Sequence, residues 1–122
     1  KLAYQWQEGD VFGAAEQVPF PQGQNFDEKA LSYLNKTQQR CPGEFAVVPD
    51  QSTEFGHVRI DSYEVACIAD NVNSTASVLF FHQGDTFTTL THETPSGNMD
   101  QAMTMKDRVV TYLVGDQKLA LR

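Results

Sequence analysis

The sequence predicts an α+β fold: an antiparallel sheet of four to five strands with an N-terminal and a C-terminal helix packed on it. Two observations carry that prediction. Apolar residues recur at helical spacing towards each end of the chain, whereas residues 44–92 form a succession of short β-type runs separated by turn residues. Consecutive strands bracketed by helices make an antiparallel sheet, because a parallel one needs a crossover between each pair.

Residues 1–25 carry Tyr4, Trp6, Val11 and Phe12 in neither period and end in Pro19, Pro21 and Gly23. They read as an extended arm that docks on the body, since a free arm would leave Trp6 and Phe12 in water. From Phe26 the spacing becomes helical through Ala30, Leu31 and Leu34, with Asp27 and Glu28 complementing the positive end of the helix dipole. Pro42 cannot continue that helix and disfavours helical geometry at Cys41, so the first helix is expected over residues 26–40.

Glu44 to Val48 is a short strand run, and Pro49-Asp50-Gln51-Ser52 reads as a turn. Val58 and Ile60 then alternate in one phase, and Tyr63, Val65 and Cys67 in the other. An uninterrupted strand keeps period 2, so the change predicts two segments, 55–60 and 62–69, with a bulge or tight turn at Asp61-Ser62. Asp70 to Ser74 reads as a loop. Ser77 to His82 and Thr86 to His92 flank Gln83-Gly84-Asp85, a three-residue hairpin turn that sets Phe81 opposite Phe87, Phe80 opposite Thr88 and Val78 opposite Leu90. Asn98 and Gln101 have capping-box spacing ahead of the apolar stripe Met99, Ala102, Met103, Val109, Val110, Leu113 and Val114, with Gly115 as the C-terminal cap. The second helix is therefore expected over residues 98–114, followed by a short tail, Gln117 to Arg122, with strand character. No repeat or linker divides the chain, so residues 1–122 are expected to form a single domain.

Sixteen acidic against nine basic residues give a formal charge of −7, and no Lys/Arg cluster is expected to interrupt the acidic background. Nucleic acid would be approached against that field, so it is not an expected partner; the charge better fits a basic protein or cationic ligand, and a protein partner or a homodimer is expected. The apolar runs are far shorter than the ~20 residues a membrane-spanning helix needs.

Cys41 and Cys67, 26 positions apart, match no zinc or redox spacing. They are expected to form a structural disulfide that stabilises the fold by about 3 kcal/mol through loop closure. Such bonds persist in oxidising compartments, and the chain starts at Lys1 and not at Met, as it would after removal of a leader or in a truncated piece of a longer chain. The expectation is an exported protein, periplasmic or extracellular.

His57, His82 and His92 are the side chains best suited to proton transfer near neutral pH. In the expected hairpin register His82 and His92 share a sheet face about 20 Å apart, too far to share a metal. His92 and Glu93 are adjacent on a strand and point to opposite faces. Cys41 follows a helix C-terminus, where the dipole opposes thiolate formation, and no nucleophile-elbow or phosphate-loop glycine pattern occurs. The sequence assigns no catalytic residue, cofactor or metal. Asn35-Lys36-Thr37 and Asn73-Ser74-Thr75 match the glycosylation sequon, Asn73 being the better acceptor if it lies in a loop.

Trp6, Phe12, Phe80, His82 and His92 remain as a candidate binding surface. The leading functional expectation is an exported, non-catalytic binding or inhibitory domain. One alternative is a small hydrolase or isomerase using His82, His92 or Glu93 in a cleft. Another is a homodimeric structural protein joined through Phe80 and Val78.

Overall fold

The computed structural model describes residues 2–56, 58–95 and 99–120. Strands β1 (Leu2–Glu8) and β2 (Val11–Pro19) come first, then helix α1 (Phe26–Arg40). Strands β3 (Glu44–Phe55), β4 (Val58–Ala69), β5 (Val72–Gln83) and β6 (Thr86–Pro95) follow, and helix α2 (Met99–Ala120) closes the order. The described strands form one six-stranded sheet, β1-β2-β6-β5-β4-β3, antiparallel throughout. The α+β class and antiparallel sheet are as expected, but there are six strands where four to five were expected, and two of them precede the first helix.

Those two strands are the segment expected to be an arm. It is extended, and it joins the sheet edge-on through β2 and β6 as a hairpin. Its turn is two residues, Gly9-Asp10, with Gly9 in the left-handed region at φ 59° that a side chain would disfavour. The hairpin shows no clear period because it lies at the margin of the sheet, where Tyr4 and Trp6 are exposed on one face and Phe12 on the other.

Both faces of the central strands are buried. Phe26, Ala30 and Leu34 of α1 pack on Val65, Val78, Phe80 and Phe87. Leu113 of α2, flanked by Val109, Val110 and Val114, packs on Val58, Ile60, Leu79, Phe81 and Leu90. Val78 and Phe80 alternate with Leu79 and Phe81 along β5, so the two helices cover opposite faces. This accounts for the phase change in β4 without a break. Val58 and Ile60 lie under α2, whereas Tyr63 and Val65 face α1, and the strand runs unbroken from Val58 to Ala69. The irregularity lies instead in β3, between Pro49 and Gln51, where a turn was expected.

The β5–β6 connection is also tighter than expected. Gln83 pairs with Thr86 around Gly84-Asp85, so Phe81 sits opposite Thr88, Phe80 opposite Thr89, and Leu79 opposite Leu90. Gly84, at φ 57°, supplies the left-handed residue of a two-residue turn, and losing one loop residue shifts the whole register by one. Asp70 and Asn71 likewise form a two-residue connection between Ala69 and Val72, and the expected loop is mostly strand.

Helix α1 is held at both ends. Asn25 caps it by accepting a hydrogen bond from the Glu28 amide at 3.0 Å. Arg59 of β4 reaches Asp27 at 2.6 Å and Asp61 at 2.8 Å, with its guanidinium 4.6 Å from the Phe26 ring centre. At the other end Cys41 is joined to Cys67 of β4 by a disulfide, with Cα atoms 5.8 Å apart. Helix α2 is held at mid-length by Lys106, whose buried ammonium meets Asp50 at 2.9 Å and Asp107 at 2.6 Å. Burial works against that charge, but the two carboxylates more than offset it and hold the Lys106 pKa above its ordinary value. The β3 irregularity presents Asp50 to this pair, and Ser62 Oγ donates to the same carboxylate at 2.8 Å. The helix continues through Gly115 to Ala120, so the glycine does not cap it and residues 117–120 are helical, not strand. Asn98 of the expected capping box lies outside the described residues.

Because β5 supplies one core with Phe80 and the other with Leu79, truncation on either face removes a fully buried side chain. Phe80→Ala is expected to cost about 3–5 kcal/mol and Leu79→Ala about 2–5 kcal/mol in urea unfolding. A cost below about 1 kcal/mol for either would mean that its face is not packed in this way.

Candidate functional site

Helix α1 buries its apolar stripe against β4, β5 and β6, and leaves uncovered the part of the same sheet face formed by β2 and the adjoining edge of β6. The result is a groove of about 570 Å³. Its floor includes Glu16 and Val18 of β2 and Thr89 of β6, and α1 forms the wall with Lys29, Tyr33, Lys36 and Arg40. At 3.6 residues per turn these four wall positions fall within roughly 60° of arc, so the helix presents them as one stripe. Three of the chain's nine Lys and Arg residues thus line one groove of an acidic protein. The expectation of no Lys/Arg cluster therefore does not hold, because the three are separated in sequence and converge only on one side of the folded helix. The helical spacing of Lys29, Lys36 and Arg40 is the signal that finds them.

Tyr33 stands between groove and core, its ring edge-on to Phe80 at 5.7 Å. Burial and the nearby Glu16 push the phenol pKa up, Arg40 opposes them, and the net shift is upward. The hydroxyl therefore stays protonated at neutral pH and can serve as a hydrogen-bond donor or acceptor. The lining sets three cationic side chains, Lys29, Lys36 and Arg40, against two carboxylates, Glu16 and Glu28, and adds a neutral phenol and a threonine, a small excess of positive charge that suits a polar or acidic group. Neither His82 nor His92 lines it. Among the described residues, no group of three or more His, Cys, Asp or Glu side chains is placed to hold a metal ion.

The residues expected to form a binding surface do not meet. Trp6 lies on the α2 face of β1, half-exposed, with its ring over Gly13, where a Cβ would collide with the indole. Phe12 is exposed on the α1 face. Phe80 is wholly buried beneath α1 among Tyr33, Tyr63 and Phe87, and Val78 is buried beside it, so the expected Phe80–Val78 dimer contact is already occupied within the chain. His82 is half-buried on the α1 face between Phe20 and Phe26. His92 is on the α2 face, 3% exposed, with Trp6 edge-on at 6.0 Å.

His82 and His92 were expected on one face. The one-residue register shift at the two-residue turn places them on opposite faces. Glu93 is exposed and points away from His92, so the cleft expected for a hydrolase or isomerase is not assembled from these three residues. His57 lies outside the described residues. Asn35 is exposed on α1, and Asn73 lies in β5 opposite Ile68, not in a loop.

No protein-family model matches the chain, and no curated protein matches its sequence. Among solved structures it is similar to PA94 from Pseudomonas aeruginosa, a protein of unknown function. That likeness has a TM-score of 0.62 and 6% identity, and covers 89% of this chain and 78% of the other. At this identity it concerns the fold alone.

Burial lowers the His92 pKa, and the opposing pull of Glu8 does not restore it. The unfolded chain takes up a proton at this position near its ordinary value of 6.5, whereas the folded chain resists doing so. Stability from this residue is therefore complete above that pH and falls as the solution is acidified below it. Urea unfolding at pH values on either side of about 6.5 should show a flatter acid limb in His92→Gln than in the parent. Identical pH profiles would contradict the assignment.

Proposed function

We propose that residues 1–122 form a single exported, non-catalytic binding domain whose ligand lies in the groove between α1 and β2. The observation that carries this reading is the basic stripe Lys29, Lys36 and Arg40 above a partly apolar floor, in a chain of net charge −7. Concave sites lined by a few convergent polar groups are the usual form of a ligand site. The stripe favours an extended ligand that presents carboxylates to α1 and an apolar face to Val18, such as an acidic segment of a protein partner. The Cys41–Cys67 disulfide supports export, since such bonds persist chiefly in oxidising compartments.

Short synthetic peptides pairing Asp or Glu with an aromatic residue are the probes, with Lys-substituted peptides as controls. Titration followed by backbone amide shifts is expected to perturb α1 and β2 with the acidic set only. Lys36→Glu/Arg40→Glu is expected to weaken that binding about tenfold or more, as does added salt, with little change in the unfolding midpoint. Equal binding of acidic and basic peptides, or shifts confined to the opposite face, would overturn the reading.

A further inference from the structure

The two edges of the sheet differ. β3, at one edge, carries Pro49, an irregular register beside it, and the charged residues Glu44, Asp50 and Glu54, the features by which proteins blunt an edge against pairing. β1, at the other edge, runs Leu-Ala-Tyr-Gln-Trp-Gln-Glu, with no proline, no lysine and no charge before Glu8. Its pairing with β2 is regular along its whole length. Tyr4 and Trp6 stand on one face of it, 55% and 38% exposed. Trp6 is fixed in place by Gly13 beneath it and His92 beside it.

We propose that β1 pairs antiparallel with the β1 of a second copy of this chain, about a two-fold axis at Gln5, joining two six-stranded sheets into one. The backbone is already set for that register. Glu8 and Val11 close the two-residue turn, so Glu8, Trp6 and Tyr4 direct their N–H and C=O groups towards β2. Ala3, Gln5 and Gln7 direct theirs outward. Two-fold pairing at Gln5 sets Gln5 opposite Gln5 and Ala3 opposite Gln7, which places outward groups against outward groups and makes about six main-chain hydrogen bonds. The same register brings Tyr4 opposite Trp6 twice, at the non-hydrogen-bonded positions where side chains are closest. One register therefore satisfies the backbone, pairs the aromatics and keeps the two Glu8 carboxylates at opposite ends of the joint. With Glu8 at its end as its one charged residue, β1 is also an edge where two chains of charge −7 can approach with little local repulsion. This surface is separate from the α1 groove.

Sedimentation of the intact chain from about 10 µM to about 1 mM tests it, because the apparent mass of a self-associating chain rises with protomer concentration. Mass is expected to rise towards twice the chain mass, and to do so at lower concentration as salt screens the net charge. Gln5→Pro removes an outward N–H without touching the β2 ladder, and is expected to weaken association at least tenfold. Gln5→Lys, which leaves the backbone intact and sets two charges face to face, is expected to do the same and covers the case in which the proline variant does not fold. A monomer mass throughout, or association unchanged in Gln5→Lys, would overturn the proposal. So would association with a foreign extended peptide at β1 in preference to a second copy.

Discussion

Everything in this fold depends on burying β5 from both sides. Ser77 to Phe81 is a continuous run of buried residues, and in a strand successive side chains point to opposite faces. A single covering layer would leave either Leu79 and Phe81 or Val78 and Phe80 in water. The chain meets the requirement by placing α1 on one face and α2 on the other. Each helix is then fixed by a contact specific to its own side: Arg59 and the Cys41–Cys67 bond for α1, and the Lys106–Asp50 pair for α2. These polar and covalent ties set where each helix lies over an otherwise non-directional apolar contact.

The same division explains the surfaces that remain open. A sheet six strands wide is broader than one helix, so α1 covers β4, β5 and part of β6 and leaves part of β2 as the floor of a groove. The side of α1 that faces this groove carries lysine and arginine, whereas its core side carries Phe26, Ala30 and Leu34. Groove and edge strand are thus both consequences of covering a wide sheet with two narrow elements.

How much of this was legible in the sequence depended on whether the signal was local. The limits of α1 are readable to the residue because the Phe26 spacing with Asp27-Glu28 and the Cys41-Pro42 stop are local signals whose effect does not depend on packing. The disulfide is readable because no other spacing suits the two cysteines. The β5–β6 hairpin is recognisable, but Gln83-Gly84-Asp85 admits either a two- or a three-residue turn, and that one-residue ambiguity decides which face each histidine occupies. The first two strands are hidden because a marginal hairpin has little burial to impose a period. The apparent break in β4 is a long-range effect: each half of the strand shows the phase of the helix above it, and the identity of that helix is not local information. The basic stripe is visible only once α1 is treated as a helix and its polar side is examined as closely as its apolar one.

The most direct test of this account is the distance between the helices across the sheet. Spin labels introduced by non-cysteine chemistry at Ser32 of α1 and Thr111 of α2, both exposed, report it without disturbing the disulfide. Layers in such a fold pack about 10 Å apart, so helices on opposite faces should give a single distance of about 30 Å or more once the labels' own reach is included. A distance below about 20 Å would place both helices on one face, and would contradict the two-sided burial of β5 on which the groove and the edge depend.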